Sequence, residues 1–205
     1  TAWKLVNIAH ELTEYEQLTF DMEERGLLLD VAAVQALEDR ATPALQVEQR
    51  ALVQHFGQAV NPRSPKQVTH WLGLPDSKDD TLEMSRHPMA PVVRRARKWA
   101  TMKSSHCSPY RRFLGRDGAL HPNYNLGGTG TGRPSCTNPN LQGVARSDDV
   151  YRVKDCFVAR PGYTLISADY NQAELRLGAH YTGDPGMMDI LAKGGDVHGA
   201  TAEKL

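Results

Sequence analysis

Near the start of the chain, apolar side chains recur every three or four residues, at Leu5, Ile8, Leu12, Tyr15, Leu18 and Met22. That spacing lays a single stripe along a helix. Gly26 marks its stop, and Asp30 has the side chain to cap a second helix. Val34, Leu37, Ala41, Leu45, Leu52 and Phe56 continue the pattern, with Pro43 expected to impose a kink or short break. In NPRSPKQV, Ser64 is placed to cap a short helix reaching Leu72. Residues 75–90 are polar and rich in turn formers, and predict no regular element. Pro91 to Leu114 reads as helix interrupted at Pro109. Asp117-Gly118 is a hairpin signal opening a short sheet. A short helix over Asp148 to Asp155 comes next. Strands near Phe157-Val158 and Tyr163–Ala168 then lead to Asp169, an acid expected at the end of a buried strand. Helices are predicted over Gln172–Tyr181, Pro185–Ala192 and Val197–Leu205.

The chain has 205 residues, room for one or two domains, and equal numbers of basic and acidic residues, 24 each. The total is neutral, but the distribution is not. Residues 94–116 hold eight basic side chains and no acid, whereas residues 1–93 hold eight basic and fourteen acidic ones. That run predicts a face suited to a polyanion. Three cysteines without CxxC spacing suit a reducing compartment, and the eight histidines form no HxxxH or HExxH pair, which disfavours zinc. No apolar run approaches the roughly 20 residues of a membrane span and no signal peptide opens the chain, so a soluble intracellular protein is expected, with no membrane partner.

GGTGTGRP, Gly127 to Pro134, has the spacing of a phosphate loop but lacks its Lys and Ser/Thr, and lacks G-x-G-x-x-G spacing as well. Its glycines let the backbone bend or approach something closely. The residues that follow crowd donors on flexible stems, Arg133, Asn138, Asn140 and Gln142, into ten positions. Such a loop suits the DNA minor groove, whose acceptors lie at nearly the same place in every base pair. A plain polar surface loop has the same composition.

Taken in order, NPRSPKQV, MKSSH, TGRPSCTNPNLQ, ISADYNQAELR and GGDVHGATA resemble the family A DNA polymerases, the group of bacterial DNA polymerase I and its phage relatives. The resemblance covers nearly the whole chain from LTFDMEERGLLLD onward. It implies an α+β right-hand fold: a helical thumb and its connection to the palm over residues 1–118, a partial antiparallel palm over 119–180, and the start of the fingers over 181–205. It implies DNA-directed DNA polymerase activity, with primer-template DNA and a dNTP as partners and two Mg²⁺ ions as cofactor. Asp169 matches the catalytic metal ligand, with the Tyr170 carbonyl beside it. Tyr170, Gln172, Glu174 and His198 match the nucleotide site, Glu174 as the steric gate against a 2′-hydroxyl and His198 as the contact to the triphosphate. Lys103, Arg133, Asn140 and Gln142 match DNA contacts, and the basic run around Lys103 would add sequence-independent affinity. Arg176 is expected in a structural ion pair.

The sequence departs from the family pattern at Asn171, Pro134, Cys136 and Gly143, the last removing one minor-groove donor. The family's second catalytic acid and its fingers helix are not among these residues. Asp184, Asp189 and Asp196 do not match the motif. The expectation is therefore half of an active site, one part of a split polymerase completed by a second polypeptide. The rival reading is a relic that binds primer-template or a protein without catalysis.

Overall fold

The computed structural model describes residues 2–144 and 152–202. They form two compact units, Thr1–Tyr163 and Thr164–Leu205. Leu5 and Ile8 of the first stripe have side chains outside the described set. Residues 148–151 of the helix expected over Asp148–Asp155, and residues 203–205 of the last helix, also lie outside the described set.

The first unit is built around one long helix. Asp30 accepts a hydrogen bond from Ala33 N (2.9 Å), which satisfies one of the donors a helix start leaves unpaired, and α2 then runs Val31–Phe56. Its 26 residues span about 39 Å. Pro43 lies inside it without breaking it. Its ring is on the exposed side of the helix, away from the core. The first half of α2 presents Val34, Leu37 and Ala41 to a core completed by Leu29, Met102, Cys107, Tyr110, Leu120, Val153 and Cys156. The second half presents Leu52 to a separate core of Val68, Leu72, Leu82, Ala90, Val92 and Val93.

Helix α1 (Ala2–Arg25) precedes it and ends at Gly26. Leu12, Leu18 and Met22 stay about half exposed, so its apolar stripe forms but is left largely uncovered. α3 (Pro65–Leu72) starts at the Ser64 cap, as its sequence requires. The stretch predicted to be irregular contains a further helix, α4 (Asp79–Met84). Asp76 shapes its approach by accepting from Lys78 N (2.9 Å) and Thr81 Oγ1 (2.6 Å), and Arg94 pairs with Asp79 and Glu83.

The basic stretch is one rod with a wide turn in it: α5 (Ala90–Thr101), a π-helical segment Met102–Cys107, and α6 (Ser108–Arg112). The interruption lies before Pro109 rather than at it. Proline has no N–H to return to residue 105 and its ring crowds that carbonyl, and the preceding turn opens to i→i−5 bonding, Ser108 N to Lys103 O.

Two small antiparallel sheets follow. β1 (Leu27–Leu28) pairs with β2 (Ala119–Leu120), and β3 (Asn123–Asn125) with β4 (Ser135–Thr137), Tyr124 opposite Cys136. The Asp117-Gly118 turn closes a tight reversal with Gly115 N bonded to Ala119 O at 2.8 Å. The glycine-rich loop is the connection of the β3–β4 hairpin, braced by Thr129 Oγ1 donating to Arg133 O at 2.7 Å. After a short 3₁₀ turn (Val153–Cys156), Phe157 bridges Leu29 and Val158 N donates to Leu28 O.

The strand expected over Tyr163–Ala168 is not formed, and Asp169 does not end a buried strand. Residues 163–170 are irregular and exposed, with Ile166 at 87%. An extended segment becomes a strand only when a neighbour accepts and donates its backbone bonds, and no strand among the described residues does so here. The second unit then holds α7 (Ala173–Thr182), α8 (Pro185–Ala192) and α9 (Val197–Ala202) around a core of Ala179, Leu191 and Val197.

Candidate nucleic-acid and nucleotide site

The residues singled out in sequence fall into two groups, one in each unit. In the first, Lys103 sits in the π-helical turn, and its ammonium donates to Thr42 Oγ1 on α2 at 3.2 Å. Its neighbour Ser104 accepts from Arg63 Nη1 at 2.9 Å, which joins NPRSPKQV to MKSSH through space. His106 of the same motif is buried and lies 3.2 Å from the Tyr110 hydroxyl; burial holds its pKa below the ordinary histidine value. It is a core group.

The loop after β4 is folded on itself. Asn140 Oδ1 accepts from Gln142 N (3.0 Å) and Gly143 N (3.2 Å), and Gln142 Nε2 donates to Pro134 O at 3.2 Å. This ties Asn140 and Gln142 to the strand that begins beside Arg133, and all three side chains are exposed. Cys136, buried, donates to Pro139 O and accepts from Leu141 N. Sequence reading missed this organising role, because a lone cysteine gives no signal of what backbone it will meet.

Three of the eight cations of the basic run are paired with carboxylates in place. Arg94 pairs with Asp79 and Glu83, Arg95 makes a two-bond contact to Glu48 (2.6 and 3.0 Å), and Arg111 pairs with Glu38. Arg97 donates to the carbonyls of Pro62 and Ser77, and burial lowers its pKa. Arg112 lies over the Phe113 ring, 5.3 Å from its centroid. Part of the basic run expected to face a polyanion is thus held in internal ion pairs, with the acids contributed by α2 and α4.

In the second unit, Gln172 is the hub. It caps α7 from a left-handed backbone conformation (φ 52°), donates from Nε2 to Gly195 O at 3.1 Å, and accepts at Oε1 from Val197 N at 3.3 Å. One side chain therefore joins the start of α7 to the start of α9, and brings Glu174 and His198 onto the first turns of neighbouring helices. Asp196, which sequence reading set aside, caps α9 through His198 N (3.0 Å) and Gly199 N (3.1 Å). Arg176 Nε donates to Asn171 O at 2.8 Å, a neutral contact where an ion pair was expected.

Asp169 and Tyr170 are exposed, Tyr170 at 87%. The Asp169 carboxylate and the Tyr170 carbonyl are hard oxygen donors of the kind Mg²⁺ takes, but that ion wants near-octahedral coordination. Among the described residues, no group of three or more His, Cys, Asp or Glu side chains is placed to hold a metal. These residues supply part of a donor set and do not complete a site.

Helices and small antiparallel sheets define an α+β chain, and its solved likeness is specific. Over 88% of the chain and 35% of the other, it matches the POL domain of Pol1 from M. smegmatis, solved with DNA primer-template and dNTP, at a TM-score of 0.76 and 26% identity. The model of DNA polymerase family A matches residues 31–205. DNA polymerase I of Helicobacter pylori (strain ATCC 700392 / 26695) is 30% identical over 98% of the chain and 24% of its own length. That of Deinococcus radiodurans is 32% identical over 90% and 21%, and the thermostable enzyme of Thermus filiformis 31% over 88% and 24%. This chain belongs to DNA polymerase family A. It spans about a quarter of the length of the curated relatives it matches. No described helix is long and apolar enough to cross a membrane.

Proposed function

We propose that these residues form the primer-template-gripping and nucleotide-selecting part of a DNA-directed DNA polymerase. On this reading residues 1–118 are thumb and its connection to the palm, 119–180 partial palm, and 181–205 the start of the fingers. Lys103, Arg133, Asn140 and Gln142 hold DNA. Glu174 fills the volume a 2′-hydroxyl would need, a repulsive form of selection. His198 meets the triphosphate. The observation that carries the proposal is the pair of hydrogen bonds made by Gln172, which draws together DYNQAELR and GGDVHG, the segments to which the family resemblance assigns the sugar and the triphosphate of one nucleotide.

Asp169 and the Tyr170 carbonyl are proposed as part of a two-Mg²⁺ site, with a second carboxylate from outside these 205 residues. The bound ions would supply charge stabilisation to the attacking 3′-oxygen and the leaving pyrophosphate. Primer extension by the complete polymerase tests the assignments. Asp169→Ala abolishes extension and leaves primer-template affinity nearly intact, whereas Lys103→Ala and Arg133→Ala weaken primer-template affinity. Near-normal extension by Asp169→Ala overturns the metal role.

A further inference from the structure

The C-terminal end of α1 is held by two cationic side chains that share one carboxylate. A helix leaves its last carbonyls unpaired and its end carries partial negative charge, so cations are favoured there. His121 Nδ1 donates to Glu23 O at 2.7 Å, and Arg160 Nη2 donates to Arg25 O at 2.6 Å. Asp117 lies between them: Oδ1 accepts from His121 Nε2 (3.1 Å) and from Ala119 N (3.1 Å), and Oδ2 accepts from Arg160 Nη2 (3.2 Å). Two glycines make room for this. A Cβ on Gly26 (φ 60°) would stand 2.8 Å from the His121 ring, and one on Gly115 would stand 2.8 Å from Asp117 Oδ1. Glu23, besides its carbonyl, accepts from Tyr124 N, so the helix end, the Asp117 turn and β3 meet at one point.

We propose that Arg160, through Asp117 and His121, is a positioning residue that fixes where the segment carrying Asp169 leaves the first unit. The consequence is carried along the chain. Arg160 lies nine residues before Asp169, and residues 163–168 between them have no regular structure. The last fixed backbone bonds before that segment are Val158 N to Leu28 O (3.0 Å) and Tyr163 N to Arg160 O (2.9 Å). With Arg160 anchored, the tether to Asp169 starts at Tyr163; with it released, the tether starts at Val158 and is nearly twice as long. A longer tether samples more positions and costs more to bring to one geometry.

The His121 arrangement adds a proton dependence. Both its oxygen partners only accept, so both ring nitrogens must carry hydrogen, which is the imidazolium form. The Glu23 carbonyl and the Asp117 carboxylate raise its pKa, against opposing contributions from burial and from Arg160, while Asp117 is drawn down to about 2, first by His121. A raised histidine pKa gives a contribution that is fully present below the ordinary value and lost as pH rises through the folded one. The latch therefore loosens on the alkaline side.

This role rests on Asp169 acting as proposed above, but its first readout does not. In the complete polymerase, amide exchange over residues 157–163 is followed by mass spectrometry in wild type, Arg160→Ala, Arg160→Lys and His121→Gln. Arg160→Ala raises exchange there by about tenfold, and Arg160→Lys recovers part of the protection. In wild type, protection falls as pH rises through the His121 titration, and His121→Gln flattens that dependence. Turnover in primer extension drops about threefold to tenfold in Arg160→Ala, with primer-template affinity unchanged. Unchanged exchange in Arg160→Ala refutes the latch. Faster exchange with unchanged turnover refutes the positioning role. A wild-type enzyme that extends no primer removes the polymerase reading, while the exchange result still decides whether the latch exists.

Discussion

Replacing Gln172 by alanine removes the two bonds that join α7 to α9 and nothing else of similar size. The backbone there is left-handed, φ 52°. Alanine pays the same conformational penalty as glutamine at that angle, so the difference between them reports the side chain alone. The bonds are neutral, 3.1 and 3.3 Å long, at a half-buried position. At about 1 kcal/mol each, somewhat less for the longer one, their loss amounts to about 1–2 kcal/mol. That is roughly a 5- to 30-fold shift in the opening of the α9 start. The Val197 amide donates directly to Gln172 and is the natural reporter by native-state hydrogen exchange. Met188, whose amide bonds Asp184 O at 3.0 Å within α8, serves as the control. Val197 is expected to exchange about 5- to 30-fold faster in Gln172→Ala while Met188 stays within about twofold. In extension assays the variant is expected to raise the KM for the nucleotide. Equal exchange at Val197 in the two proteins, or a parallel rise at Met188, would refute the hub.

Leu52 is fully buried in the second core of the first unit, so Leu52→Ala is expected to lower stability by about 2–5 kcal/mol, read by chemical denaturation of the complete protein. A loss below about 1 kcal/mol would mean that the site collapses around the smaller side chain. His87 Nδ1 accepts from Met89 N at 3.1 Å, which requires the neutral ring, and burial followed by the nearby His55 lowers its pKa. A lowered histidine pKa contributes stability above the ordinary value that is lost as pH falls through the folded one. The melting temperature is thus expected to fall on mild acidification, and less so in His87→Asn, which keeps an acceptor but does not titrate.

How much was legible depended on how far away each structural cause lies. Caps act within three residues, so Asp30 and Ser64 could be read directly, as could the stripe of α2. α4 could not be read, because six residues do not establish a period and its partner Arg94 lies fifteen residues from Asp79. The basic run was visible, but the pairing of three of its arginines was not: Glu48 is 47 residues from Arg95. For the same reason motif resemblance singled out Gln172 and His198 but not the bond pattern that couples their helices. The missing strand before Asp169 has a different cause. Its apolar residues were read as a strand, but a strand is a property of a pair, and the described residues hold no partner for it.

The internal pairing of Arg94, Arg95 and Arg111 bears on how the first unit meets a charged polymer. Cations already matched to carboxylates a few ångströms away project little field beyond a Debye length of about 8–10 Å. These three arginines would then add little to the salt dependence with which the first unit associates with a polyanion.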